Sequence, residues 1–409
     1  MPDLKTTIEA VNGFKVAGVH AGLKKNGALD LALIVSDIPC VSAGVFTKNR
    51  IKAAPVLVNQ AHLASHGEQM RAVVVNTVSA NAATGEQGMR NAHRMAAITA
   101  EQIACEPEQV YVMSTGVIGS HLPMDKIETG IASASQQLGD DWQATAHAIK
   151  TTDSFEKLAS ITVPTSTGEV TIAGITKGAG MIAPNMATML GVLVTDASLS
   201  PQTAQQALTE AANLSYNCIV VDGDTSTNDM VVLLANGASG ITLNSEADLA
   251  CFTDALTALG TYLAQQVVRD GEGATKFITI DVQGASSVDD AEKIAHTIAS
   301  SALVKTAFYG NDANWGRIVA AAGRAGVPFD AATVSLAITQ GETITDNQRG
   351  LVLFEAGAKA DYDETEATAI ISADNVYITL DLGAGSDQAM VWTCDLSHDY
   401  VSINADYRT

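Results

Sequence analysis

Lys177-Gly178-Ala179-Gly180-Met181-Ile182-Ala183-Pro184-Asn185-Met186-Ala187-Thr188-Met189-Leu190 opens as a glycine- and proline-bent loop and closes on an apolar run that continues to Val194. Gly178 and Gly180 allow backbone angles closed to other residues, and Pro184 fixes one φ and removes an amide donor. Such a loop can hold a peptide bond in a tight turn against a rigid strand. Thr188, at the head of that strand, can act as a nucleophile. If the Ala187–Thr188 bond breaks, the freed α-amine becomes its own base. Taken alone, the stretch also reads as an ordinary loop before a strand that begins with threonine, and that plainer reading leads at this point.

Working outward, apolar runs predict strands at Leu31–Val35, Val56–Val58, Val73–Val75, Val110–Met113, Val170–Ala173, Leu190–Val194, Ile219–Val221 and Val231–Leu234. Further strands are predicted at Phe277–Val282, Val352–Phe354, Ala369–Ser372, Val376–Leu380 and Met390–Thr393. Ser200-Pro201 caps and starts a helix through Ala212. Leu249, Phe252, Leu256, Leu259 and Leu263 form a one-sided helical stripe that ends near Arg269-Asp270-Gly271. A third helix is predicted from Asp290 to Leu303. Strands and helices come in blocks, which argues against a doubly wound parallel sheet and for layered α+β.

A length of 409 residues suggests two lobes. The 23 basic against 45 acidic residues leave a net charge of −22, which repels nucleic acid and anionic membrane, so neither is an expected partner. No apolar run is long enough to span a bilayer, and Met1-Pro2-Asp3-Leu4-Lys5 does not begin a signal peptide. Cys40, Cys105, Cys218, Cys251 and Cys394 show neither metal-site spacing nor a disulfide framework. Most are expected to be buried small hydrophobes, and the location expected is the reducing cytoplasm.

Several clusters could carry chemistry. Ser114-Thr115-Gly116-Val117-Ile118-Gly119 follows a predicted strand, where successive N–H groups can point at one spot, although small residues and glycine also make ordinary turns. Asp222-Gly223-Asp224-Thr225-Ser226-Thr227-Asn228-Asp229 resembles a calcium loop, but Thr227 replaces the required glycine and Leu233 the required glutamate. A polar turn between strands is expected instead, with a structural role near the site left open. The eight histidines fit neither a zinc nor a triad pattern. Glu272 sits between Gly271 and Gly273, placed to grip an ammonium, to move a proton, or simply to meet solvent. The tail Asn404-Ala405-Asp406-Tyr407-Arg408-Thr409 is expected to pack against the protein.

Together these stretches resemble the ornithine acetyltransferases of arginine biosynthesis (glutamate N-acetyltransferases), nearly end to end. The resemblance runs through Gly13-Phe14-Lys15, Ala17-Gly18-Val19, Asp30…Asp37, Val45-Phe46-Thr47-Lys48-Asn49-Arg50, Thr115…Gly119 and Thr151-Thr152-Asp153. It continues through the opening loop, Asp222…Asp229, Gly271…Lys276, Asn314-Trp315-Gly316-Arg317-Ile318 and Asn404…Thr409. Its most specific part is Gly180-Met181-Ile182-Ala183-Pro184-Asn185-Met186-Ala187-Thr188-Met189-Leu190.

The resemblance implies a layered αββα-type sandwich of two lobes, related to self-cleaving N-terminal-nucleophile enzymes. It implies cleavage between Ala187 and Thr188 into an α piece, 1–187, and a β piece, 188–409. Thr188 would be the nucleophile, Thr115 and Gly116 the oxyanion-hole pair, and Thr152, Lys177, Thr188, Glu272, Asn404 and Thr409 substrate-binding residues. The implied reaction is ping-pong. N2-acetylornithine acylates Thr188, ornithine leaves, and L-glutamate takes the acetyl group as N-acetylglutamate. No metal or organic cofactor is implied, and the implied assembly is an α2β2 heterotetramer. The sequence leaves open acetyl-CoA as a second donor. It also leaves a self-processing aminopeptidase or amidohydrolase, and an uncleaved binding protein, as alternatives. Two departures stand out: Asn76-Thr77-Val78-Ser79-Ala80-Asn81-Ala82 where the family usually has Asn-Ser-Gly-Asn-Ala-Asn-Ala, and Ala83 where a cysteine is common.

Overall fold

The computed structural model describes residues 3–183, 189–343 and 350–405. Its elements run β1 Leu4–Lys5, β2 Phe14–Val19, β3 Leu31–Phe46, α1 Ala54–His66, β4 Met70–Asn76, α2 Gly85–Ile103, β5 Val110–Ser114, α3 Met124–Gln136 and α4 Trp142–Ala148. Next come β6 Lys157–Thr165, β7 Gly168–Lys177, β8 Leu190–Thr195, α5 Pro201–Asn213, β9 Ile219–Val220, β10 Met230–Ala235 and α6 Glu246–Arg269. The remainder is β11 Phe277–Ala285, α7 Val288–Ala299, α8 Ala302–Tyr309, α9 Trp315–Gly323, β12 Ser335–Gln340, β13 Leu351–Glu355, β14 Ala358–Lys359, α10 Glu364–Ile371, β15 Asn375–Asp381, β16 Asp387–Cys394 and α11 His398–Ala405. The fold is mixed α+β.

The chain forms two compact units: residues 1–217 with 224–267, and residues 218–223 with 268–409. In the first unit, β3 belongs to two layers. Its first half pairs with β2 and β4, and its second half pairs with β10. Between them Asp37, Ile38 and Pro39 are exposed and the register to β4 shifts, as expected where a proline interrupts a ladder. One layer is β2, β3, β4 and β5; the other orders β1, β6, β7, β8, β10 and β3.

Strand alternation sorts the side chains between these layers. Ala32, Ile34, Val73, Val75, Tyr111 and Met113 face Ile175, Leu190, Val192, Val194, Met230 and Val232 in one buried core. Leu31, Leu33, Ala72, Val74, Val110 and Val112 point the other way, against α2 and α3 through Met95, Ala96, Ile127 and Ile131. On the far side α5 packs on β3 and β10, and Leu263 of α6 reaches to Gly174 of β7. The first unit is thus helix, sheet, sheet, helix, the layering expected.

The second unit is a seven-stranded sheet ordered β14-β13-β12-β15-β11-β16-β9. Ile278, Ile280, Leu336, Ile338, Val376, Ile378 and Val391 form a core with Ile294 and Ile298 of α7, Phe308 of α8 and Ile318 of α9.

Two strand expectations are corrected. Val56–Val58 lies in α1, where Pro55 sits at the helix start and supplies a helical φ. Ala369–Ser372 lies at the end of α10 and its cap, a helix begun by Asp363, whose side chain accepts from Thr365 N. The helix expected over 290–303 is two, because Ser300 closes α7 and Ser301 takes an extended conformation. Elsewhere Ser200 caps α5 by accepting from Thr203 N at 3.1 Å, as the sequence suggested. None of the five cysteines forms a disulfide, and only Cys40 and Cys394 are buried. Of the tail expected to pack, Asn404 and Ala405 are exposed, and 406–409 lie outside the described residues. No described helix is long and apolar enough to cross a membrane.

Candidate active site

The first unit gathers a set of polar residues where β4, β5 and β7 end and β8 begins. Two turns lie side by side there. Thr115 N donates to Asn76 O (3.0 Å), Val117 N to Val78 O (2.9 Å) and Ala80 N to Val117 O (3.0 Å). Ser114 Oγ donates to Asn76 Oδ1 at 2.6 Å, and Asn76 Nδ2 donates back to Thr77 O and Ser79 O. Gly116 has φ +132°, and a Cβ there would stand 2.2 Å from the Val78 carbonyl carbon. Only glycine fits. Among the described residues no acceptor meets the Gly116 N–H.

Lys177, the last residue of β7, is buried, and its Nζ donates to Thr115 Oγ1 at 3.3 Å. An ammonium has no acceptor, so Thr115 must receive here. Its own hydroxyl hydrogen is therefore available to a third group. Just past Lys177, Gly178 N donates to Asp153 Oδ1 at 2.6 Å. Lys157 Nζ donates to the same oxygen at 2.8 Å, with both side chains fully buried, and Thr151 N donates to Oδ2 at 3.0 Å. Burial alone would raise the Asp153 carboxyl, but Lys177, Lys157 and these hydrogen bonds outweigh it and hold it well below the ordinary carboxylate range. Thr152 is half-buried in the turn that Asp153 fixes.

The Asp222–Asp229 segment is the polar turn expected, and it buttresses this site. Asn228 Nδ2 donates to Ala80 O (2.6 Å) and Ser114 O (2.8 Å), clamping both turns. Thr225 Oγ1 donates to Ala183 O at 2.8 Å, and Met230 N donates to Met189 O at 2.9 Å. The residues bordering 184–188 are thereby fixed on both sides. Asp229 is buried, and its Oδ2 has no partner among the described residues. Burial raises its carboxyl well above the ordinary range, against smaller opposing effects of Ser226 and Lys177.

In the second unit, Glu272 is buried in the turn between α6 and β11. Gly273 has φ +71°, and a Cβ on it would stand 2.5 Å from Tyr400 N. Ser397 Oγ donates to Gly273 O at 2.6 Å, and Asn404 Nδ2 donates to Glu272 Oε2 at 2.8 Å.

The structure therefore brings Thr115, Gly116 and Lys177 together in the first unit with Thr152 in an adjoining turn, and Glu272 with Asn404 in the second. Ala187, Thr188 and Thr409 lie outside the described residues. Sequence reasoning missed Asp153 and Lys157 as a buried pair. The signal was an acid and a base four residues apart in a chain with few charges. It also missed Asn228 as a clamp, and no local pattern would have found it.

The model of the ArgJ family matches residues 15–409. The arginine biosynthesis bifunctional protein ArgJ of Symbiobacterium thermophilum is 46% identical over 407 residues, which cover 98% of each chain. The mitochondrial bifunctional protein ArgJ of Postia placenta is 45% identical over 97% of this chain and 92% of its own. Among solved structures, ArgJ of Bacillus halodurans is similar at 43% identity and a TM-score of 0.47, covering 51% of this chain and 95% of that one. Ornithine acetyltransferase of Mycobacterium tuberculosis, complexed with ornithine, is similar at 39% identity and a TM-score of 0.43, covering 46% and 100%.

Proposed function

The chain belongs to the ArgJ family, acetyltransferases of arginine biosynthesis, and from that premise we propose that it moves acetyl from N2-acetyl-L-ornithine to L-glutamate on Thr188. The nucleophile is first released from the chain. Thr188 Oγ attacks the Ala187 carbonyl carbon, the peptide nitrogen takes the proton and leaves, and water hydrolyses the resulting ester. The products are the pieces 1–187 and 188–409, the second with a free α-amine.

In the first half-reaction Thr188 Oγ attacks the acetyl carbonyl of N-acetylornithine. The α-amine of Thr188 takes the hydroxyl proton and passes it to the departing nitrogen of ornithine. In the second, the glutamate α-amine attacks the acetyl ester and a proton returns to the threonine oxygen. Acetyl-CoA is a second donor, loading the same oxygen and releasing a thiol.

The Lys177–Thr115–Gly116 arrangement is the observation that carries this reading. Thr115 O–H and Gly116 N–H are two donors for one developing oxyanion, each worth roughly 3–4 kcal/mol of barrier. Lys177 also pairs with the amino-acid carboxylate. Glu272, steadied by Asn404, takes an ammonium of ornithine. Thr152 and Thr409 complete substrate binding, and the cut chains assemble as α2β2.

Intact mass spectrometry tests the reading. The expected result is two pieces, the second beginning at Thr188 and gaining about 42 Da, one acetyl for one proton, after N-acetylornithine. Thr188→Ala should stay whole and unlabelled. A wild-type chain that stays whole and unlabelled overturns the proposal. Rapid loss of the acetyl label to water without glutamate would favour an amidohydrolase instead.

A further inference from the structure

Glutamate and ornithine present opposite charges at their side-chain ends. The carboxylate assigned to ornithine, Glu272, cannot favour an acceptor that ends in a second carboxylate, so glutamate needs a cation of its own. The proposed function, on which this inference rests, leaves that cation unassigned.

Lys157 and Lys177 act on the buried Asp153, and Lys24, from a third segment, feels Asp153, Lys177 and Lys150. Lys157 is engaged by Asp153 itself, Lys150 by Glu156 Oε1 at 2.9 Å, and Lys177 by Thr115. Glu156 is held down at about 2 against its burial, chiefly by Lys150 and His147. Lys24 is different. Its half-buried ammonium donates to one carbonyl, Leu29 O at 2.8 Å, and has no ion-pair partner among the described residues. Burial lowers its pKa, Asp30 and Asp153 oppose that, and Lys150 and Lys177 add to it, so it feels all of these groups.

The loop carrying Lys24 is held rigidly. Asp30, fully buried, accepts Ala21 N (2.6 Å) at Oδ1 and Leu23 N (2.6 Å) and Lys24 N (2.8 Å) at Oδ2. The Asp30 carbonyl accepts both Thr77 N and Thr77 Oγ1. Thr77 belongs to the turn that runs beside Gly116. Lys24 is therefore fixed on a loop tied to the turn beside Gly116, within electrostatic reach of Lys177, which holds Thr115.

We propose that Lys24 sets acceptor specificity by taking the side-chain carboxylate of L-glutamate while Lys177 takes its α-carboxylate. The loop does not need the ammonium for its shape, since Asp30 grips the Lys24 backbone. Lys24→Met should accordingly keep its fold.

The test separates the two half-reactions. Enzyme is loaded with acetyl from N-acetylornithine, then chased with L-glutamate or with its uncharged isostere L-glutamine, and loss of label is followed by intact mass. Wild type should prefer glutamate. Lys24→Met should raise the KM for glutamate by roughly 10- to 100-fold, the range for a charged hydrogen bond. Its loss on the acetylornithine side should be at least tenfold smaller, and its preference over glutamine should collapse. Lys24→Arg should retain that preference. Equal losses in both half-reactions mean a structural role and overturn the proposal, as does an unchanged preference in Lys24→Met. A wild type that never takes acetyl overturns the proposed function as well, which distinguishes the two failures.

Discussion

Val78 is a β-branched residue at φ +78°, a conformation such side chains rarely enter, and it stands where the family resemblance implies glycine. Its side chain is 42% exposed, so packing does not explain its place. Strain of this kind costs roughly 1–3 kcal/mol, whereas a new glycine loosens the unfolded chain by only about 0.4–1 kcal/mol. Val78→Gly should therefore stabilise the protein by about 1 kcal/mol, raising its urea midpoint at constant slope. A lower midpoint would show that the position is not strained. The sequence revealed the departure at Val78 but not its backbone angle, because φ is set here by the neighbouring turn at Gly116. The same limit hid Lys24, Asn228 and Asp229. Asn228 acts through contacts far along the chain and the burial of Lys24 and Asp229 is set by tertiary packing, while Thr115, Gly116 and Lys177 sit in motifs that can be read locally.

At the level of elements, the segment 184–188 is bracketed by two strands that pair with one another. The ladder runs from Ile172↔Thr195 to Lys177↔Leu190, and β8 is held on its other side by β10. The proposed cut at Ala187–Thr188 would therefore leave both pieces paired within the same sheet. The two pieces should co-elute on native gel filtration and separate only in denaturant, at the concentration that unfolds the protein. Separation in native buffer would contradict this. The sequence captured β8 and β10 because continuous apolar runs mark strands buried on both faces. It misread Val56–Val58 and the end of α10, where short β-branched runs were overruled by helix starts at Pro55 and Asp363. Propensity is weak against a fixed first turn.

The stability of the whole molecule should depend on pH through two buried carboxyls moved in opposite directions. Asp153 is depressed, so its contribution is present above the unfolded pKa near 3.9 and is lost as pH falls through its lower folded value. Asp229 is raised, so the folded state keeps a proton that the unfolded chain releases, and stability falls as pH rises above about 4. Asp229→Asn mimics the neutral acid and removes that loss. Its Tm should exceed that of wild type at pH 8 and approach it at pH 4; equal Tm values at pH 8 would refute the raised carboxyl. The block pattern made layered α+β legible, whereas the αββα order of the layers came through the family resemblance. The unit boundaries were not legible, since one falls within α6 between Val267 and Val268, where nothing interrupts the apolar stripe.

The place of β8 between β7 and β10 also sets a timetable. A chain emerging from the ribosome presents β7 and β8 while β10 is still to be made, so β8 has an open edge. The amide that holds Met189 O belongs to Met230, and the side chain that clamps Ala80 to Ser114 belongs to Asn228. Both arrive in the same late stretch. If the proposed cut depends on these contacts, it has to wait until residue 230 has left the exit tunnel, by which time the second half of the chain is under way.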